Sequence, residues 1–336
     1  MVGYLVRRLV ATLVLLFVIS VMVFAIFFLL PRLAGASPET LASRYVGRTA
    51  NEATVKLVAE NLGFTDPVPV QYLHWAKGLF VGSDYDYGSG VEHCPAPCFG
   101  YSFVTDQPVF PELLDRAPVT FSLAIGAAII WTVFGIGVGM ISALARGSIF
   151  DRGLMLVALA GVSLPIFWTG AMALSLFSYK WHITPGSGYV PFDECPVGWA
   201  QSLFLPWFTL ALLFSAQYAR LTRAGMLETM NEDYIRTARA KGLPERVVVV
   251  KHGLRGTLTP LLTIFGLDFG ILIGGAVLTE TVFSLPGLGK YALDGINSND
   301  LPKVLGVTLL GATFIVIANL VVDLLYAVVD PRVRVS

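Results

Sequence analysis

The sequence predicts an all-α polytopic membrane protein with six transmembrane helices and a large first extracellular loop. Three observations carry that class. Only 14% of the 336 residues are charged, against about a quarter in a soluble domain, and mean hydropathy is +0.71. Six apolar runs occur, roughly 9–30, 118–145, 153–180, 203–219, 259–281 and 304–329, and about 20 apolar residues cross the hydrocarbon core as a helix. Lys and Arg gather in alternate connections between these runs, as the positive-inside rule requires. Barrel strands would be about 10 residues long and alternating; these runs are longer and apolar all round.

Span one (9–30) imitates a secretory signal, with Arg7 and Arg8 before it and Ala34-Gly35-Ala36 after it. A signal core is about 7–15 residues; this run is longer and is followed by Pro31-Arg32, so it reads as a retained helix. The outer segment 31–117 is too long to be a mere connection. Ser37-Pro38-Glu39 reads as a helix start. A helix over 52–62 stops at Gly63, Asp66-Pro67-Val68-Pro69 turns, 70–80 is a second short helix, and 82–90 is turn-rich. The expectation is a small extracellular cap on the membrane mouth. Three regions follow: 1–30, the tail and span one; 31–117, the cap; and 118–336, a core of five spans with a cytoplasmic loop at 220–258.

Span three contains Pro165. Span five carries Gly266, Gly270, Gly274 and Gly275, spacings that allow close helix approach or line a pathway. Asp268, near the middle of span five, is a costly residue in lipid. It reads either as path lining or as one half of a buried pair. In span six, Asn319 and Asp323 are four apart and share a face, which suits a structural pair.

Charge sets the orientation. Arg7 and Arg8, then Arg146 and Arg152, then the 220–258 loop, then Arg332 and Arg334 fall on one side, the cytoplasm. Both termini are expected there. The three cysteines, Cys94, Cys98 and Cys195, all fall outside, where disulfides persist. Cys94–Cys98, either of them with Cys195, or three free thiols are all open at this point. No metal site is expected, because no second Cys pair or His set completes one.

Several chemistries are set aside. Gly287-Leu288-Gly289-Lys290 looks like the end of a phosphate loop, but Ser284 and Tyr291 occupy positions where that motif needs Gly and Ser or Thr. There is no HExxH and no G-x-S-x-G. The basic loop lacks the interleaved aromatics of a nucleic-acid surface.

That loop is the most informative stretch. Residues 220–258 hold Arg220, Arg223, Arg236, Arg239, Lys241, Arg246, Lys251 and Arg255 against Glu228, Glu232, Asp233 and Glu245. Apolar positions 226, 227, 230, 234 and 238 recur at helical steps, and Gly242-Leu243-Pro244 stops the helix. A second short helix begins at Glu245. Anchoring on lipid headgroups needs the charge but not the Gly-Leu-Pro break, which suits a knob for another protein.

Here the chain resembles the permease subunits of ABC-type dipeptide and oligopeptide importers. The stretch Tyr234-Ile235-Arg236-Thr237-Ala238-Arg239-Ala240-Lys241-Gly242-Leu243-Pro244 is similar to their cytoplasmic signature. The general signature opens on Glu-Ala-Ala and closes on Ile-x-Leu-Pro. Here those places hold Arg236-Thr237-Ala238 and His252-Gly253-Leu254-Arg255. The stretches 4–10, 280–296 and 321–334 are similar too, so the resemblance runs nearly end to end.

The resemblance implies the type I ABC importer permease architecture in a bacterial cell membrane. It implies a second paralogous permease subunit, two cytoplasmic ATPase subunits and an outer substrate-binding protein as partners, with peptide as cargo. ATP and magnesium would be bound by the ATPase subunits, and no cofactor by this chain. It further implies that Tyr234, Arg236, Thr237, Ala238, Arg239, Lys241, Gly242, Leu243 and Pro244 couple to an ATPase. Tyr234, Ala238 and Leu243 would sit in its groove, and Arg236, Arg239 and Lys241 at its rim. Glu280, Pro286 and Gly287, in the turn after span five, are expected at an outer gate reached by the peptide's charged ends. Nickel, oligosaccharide or glutathione cargo fits the same architecture. A stand-alone secondary transporter would show internal repeats, and none is evident.

Overall fold

A computed structural model describes residues 2–46, 51–86 and 90–329. The tail arginines Arg332 and Arg334 and the side chain of Asp323 lie outside the described residues, as does part of the turn-rich 82–90 stretch. Among the described residues, five helices are long and apolar enough to cross a membrane: Val6–Leu33, Val109–Leu144, Pro196–Thr229, Glu245–Ile273 and Leu301–Val322.

The sixth apolar run is helical but broken. Its helix Ile149–Ser163 stops at Leu164, which is extended (φ −93°, ψ 131°), and restarts as Ile166–Ala173 before a π-helical turn, Leu174–Lys180. Pro165 is the reason, since its ring pushes the preceding residue out of helical geometry. Span five is also shorter than the apolar run predicts. The helix ends at Ile273 and a separate turn of helix, Val277–Val282, follows. Gly275 sits between them at φ +128°, a conformation open to glycine and little else.

The chain divides into two compact units. One comprises 1–120, 273–277 and 286–317; the other comprises 121–272, 278–285 and 318–336.

In the first unit the outer segment folds onto the outer end of span one. Helices Pro38–Val46, Glu52–Asn61 and Val68–Val81 follow in order. The Ser37 hydroxyl accepts from the Thr40 amide at 3.2 Å, and Asn51 caps the next helix through the Thr54 amide at 2.7 Å. Their buried residues Leu41, Ala42, Tyr45, Val58, Ala59 and Phe64 share one core with Val23, Phe24, Phe28 and Leu305. Phe24 stacks on Phe28 at 4.7 Å and meets the Tyr72 ring edge-on at 5.4 Å. The sequence reads 82–90 as turns; the structure instead pairs Ser83–Asp86 with Val91–Cys94 as an antiparallel hairpin. A smaller one pairs Tyr101–Ser102 with Gln107–Pro108, and Tyr85 stacks on Tyr101 across the two at 5.9 Å. Cys94 and Cys98 are joined by a disulfide, and Cys195 is free and exposed.

The second unit is built on close contact between spans two and four. A Cβ on Gly135 would lie 2.5 Å from Cβ of Tyr218, and one on Gly139 would lie 2.5 Å from the Ala219 carbonyl. Glycine at these positions lets the two backbones touch, which is how helices associate where lipid supplies no hydrophobic drive. Gly266 makes the same approach to Val322, so this member of the span-five glycine stripe is a packing surface. Trp131 and Tyr218 are fully buried at the centre.

Candidate functional site

The basic loop 220–258 is built from the C-terminal end of the Pro196–Thr229 helix. Sequence periodicity carries that helix on to Lys241, but Met230 to Glu232 form a tight turn. The amides of Asn231 and Glu232 bond three residues back, to Glu228 and Thr229, at 3.1 Å each. Glu232 is extended (φ −67°, ψ 149°) and starts a new helix, Asp233–Ala240. The amide of Lys241 closes that helix on Thr237, and Gly242 reverses the chain at φ +74°. Pro244 then opens Glu245–Val247, which runs through a π-helical stretch, Val248–Gly253, into span five.

The short helix is strongly two-faced. Ile235 and Ala238 are buried against Val248, with Met230 packed beside them. Met230 also packs on a second cluster of Ala143, Met226 and Val249. The helix is thereby fixed to the ends of spans two, four and five. Ala238 therefore corrects the expectation drawn from the signature: it faces its own chain and offers nothing to an outside groove. Tyr234 and Leu243 are the exposed apolar residues, at 47% and 39%. Arg236, Thr237 and Lys241 are exposed as well. Arg239 holds Glu245 in a two-point pair, Nη2 to Oε1 at 2.6 Å and Nε to Oε2 at 3.2 Å. This braces the two sides of the Gly242 turn. A Cβ on Gly242 would meet nothing within 4 Å, so the tip of the turn is open.

A second feature of the same unit escaped the sequence reading. Asp151, almost fully buried, takes the Arg223 guanidinium on both oxygens at 2.7 and 2.8 Å. The Ser142 hydroxyl and the Gly147 amide also donate to it. The local signal was there, because Ser148 three residues before Asp151 is a helix cap, its hydroxyl accepting from the Asp151 amide at 3.1 Å. The partner, 72 residues away, had no signal.

The residues assigned to a path or gate are dispersed. Asp268 is half-buried and accepts a hydrogen bond from the Tyr218 hydroxyl at 3.1 Å. Glu280 is fully buried, so the expectation that it meets a peptide's charged end at the mouth is corrected. Its carbonyl instead accepts from the Leu285 amide at 2.8 Å, closing the turn after Val282. Pro286 is exposed, while Gly287 is buried and starts the helix Leu288–Ser298. The Thr120 hydroxyl accepts from the Leu288 amide at 2.9 Å. Gly289 lies so close to Val277 that a Cβ there would be 2.8 Å from its nitrogen. In the same unit, Lys303 lies between Glu112 (3.6 Å) and Asp300 (3.4 Å), and Tyr291 donates to Glu112.

Residues 135–335 match the model of the binding-protein-dependent transport system inner membrane component, and residues 1–124 match that of its N-terminal region. A putative peptide transport system permease protein of Brucella abortus is 42% identical over 308 residues, 91% of this chain and 92% of the relative. The dipeptide transport system permease protein DppB of Escherichia coli is 40% identical over 306 residues, 84% and 86% of the two chains. Among solved structures, a chain of the inward-facing MetNI methionine ABC transporter superposes with a TM-score of 0.53 at 18% identity. It covers 65% of this chain and 96% of its own, a likeness of fold.

Proposed function

We propose that this chain, which belongs to the family of binding-protein-dependent transport system inner membrane components, forms half of a channel that carries di- or oligopeptides into the cytoplasm. It is a permease subunit of an ABC importer and is not itself an enzyme. The other half of the channel is a paralogous permease. Two ATPase subunits below hold ATP and magnesium, and a substrate-binding protein delivers cargo from outside. Both termini face the cytoplasm, and lipid covers the exposed apolar faces of the spans.

The observation that carries the mechanism is the two-faced helix Asp233–Ala240. Its inner face, Ile235 and Ala238, is tied to Val248, and through Met230 to residues at the ends of three spans. Its outer side and the following turn present Tyr234, Arg236, Lys241 and Leu243 around an open Gly242. An ATPase gripping that outer side moves the span ends with it, because a packed core passes on displacement rather than absorbing it. ATP favours the closed ATPase pair, and that preference biases the channel between inward-open and outward-open states. Peptide as cargo is supported by the names of the relatives and by nothing specific in the loop. The test is uptake of a labelled peptide series by the assembled complex in vesicles, with and without this subunit. Uptake that depends on the subunit is expected; no uptake of any peptide by the full complex rejects the cargo.

A further inference from the structure

Asp268 lies near the middle of the apolar run 259–281, five residues before the end of the Glu245–Ile273 helix, or about 7.5 Å along the axis. Its carboxylate is half-exposed. The Tyr218 hydroxyl bonds Oδ2 at 3.1 Å. Among the described residues no Lys, Arg or His lies within ion-pair distance of it. The ring of Tyr218 belongs to an aromatic cluster. Trp131 stands 6.2 Å from Tyr218 and 6.1 Å from Phe265, and Phe265 stacks on Phe269 at 5.6 Å.

A carboxylate at the centre of a helix in lipid costs about 2.5–3.5 kcal/mol on insertion scales. One hydrogen bond from a neutral hydroxyl to a charged group offsets about 1.5–3 kcal/mol of that at best. With no cation among the described residues within reach, the exposed flank of Asp268 has to face water or a visiting cation rather than acyl chains. A carboxylate held on one oxygen by the Tyr218 hydroxyl and open on its flank is a site for an ammonium group. Resting on the peptide-importer reading, we propose that Asp268 is a counter-charge in the translocation path that receives the free amino-terminal ammonium of the passing peptide, with Tyr218 holding the carboxylate in place. The side chain would then be a specificity residue for amine-bearing cargo.

The experiment uses the full complex carrying Cys195→Ser, so that no free thiol of this chain competes, with the Cys195→Ser complex itself as the labelling blank. Asp268→Cys is exposed to a membrane-impermeant, cationic thiol reagent in each nucleotide state. Asp268→Asn, which keeps an acceptor for Tyr218, and Asp268→Glu are assayed for peptide uptake at saturating binding protein. We expect labelling of the cysteine in at least one state, uptake lowered about ten-fold in Asp268→Asn with the complex still assembled, and recovery to within a few-fold in Asp268→Glu. A cysteine inert in every state overturns the proposal, as does wild-type uptake by Asp268→Asn. A complex that falls apart on Asp268→Asn also overturns it, because the charge would then belong to a subunit contact. If even the wild-type complex moves no peptide, the cargo reading fails, and the labelling arm still decides whether Asp268 faces the path.

Discussion

Two buried carboxylates outside the membrane are shifted in opposite directions, although burial by itself raises both. Asp151 receives the Arg223 fork, the Ser142 hydroxyl and the Gly147 amide, and the Arg223 guanidinium above all holds its carboxyl far below the usual range. Asp300 is fully buried, and desolvation pushes its carboxyl up, although Ser102 and Lys303 pull the other way. The consequences for stability have opposite signs. The Asp151 contribution is complete above the unfolded carboxylate pKa, near about 4, and disappears as pH falls through the lowered folded value. For Asp300 the fold favours the protonated form, so stability is lost as pH rises through the raised value. Thermal unfolding of the purified complex as a function of pH should therefore separate two variants. Asp151→Asn lowers the melting temperature by several degrees at neutral pH and flattens the acid limb. Asp300→Asn flattens the decline that begins near about pH 4. An identical pH profile for the two variants contradicts this assignment. Neither behaviour was legible in the sequence, because Arg223 and Lys303 look there like ordinary loop charges.

At the level of elements, the sequence was a good guide wherever lipid or a turn residue dictated the outcome. Apolar length placed the spans, Gly63 and Gly242 marked helix ends, and Ser37 marked a start. It was a poor guide wherever the deciding contact was distant. Ala238 has helical spacing with Tyr234, yet its neighbour Val248 lies across the Gly242 turn and sends it inward. The breaks at Pro165 and Gly275 had visible causes, but periodicity cannot say whether a helix kinks or stops there. The coupling element supports a sharp prediction. Gly242 needs φ +74° and has open space around it. Asn tolerates that backbone at low cost, whereas Trp adds bulk at the docking tip. Gly242→Asn should retain most peptide-stimulated ATP hydrolysis and uptake. Gly242→Trp should lose uptake at least ten-fold relative to Gly242→Asn, which must adopt the same backbone conformation and so controls for strain. Equal activity of the two variants would argue that nothing docks at this turn.

For the molecule as a whole, the orientation proposed from the distribution of charge can be tested with a native thiol. Cys195 is free and exposed, while Cys94 and Cys98 are consumed in their disulfide. In intact cells a membrane-impermeant thiol reagent should label Cys195 without permeabilisation. In a Cys195→Ser background, Lys241→Cys should be labelled only after the membrane is opened. The reverse pattern would invert the topology. The disulfide itself needed the structure, since sequence spacing left three pairings open.

Met230 belongs to both apolar clusters beneath the coupling helix, and its sulfur would lie 2.9 Å from a Cβ at Gly253. Methionine is the most compliant of the apolar side chains, so under the proposed coupling the joint between motor and channel would turn on the softest material available. Its stiffness would then set how much of each stroke is wasted as slack: a looser joint would burn nucleotide without moving cargo. Oxidation to the sulfoxide would place a polar group inside that bearing, and the transporter's efficiency would fall while every subunit stayed in place.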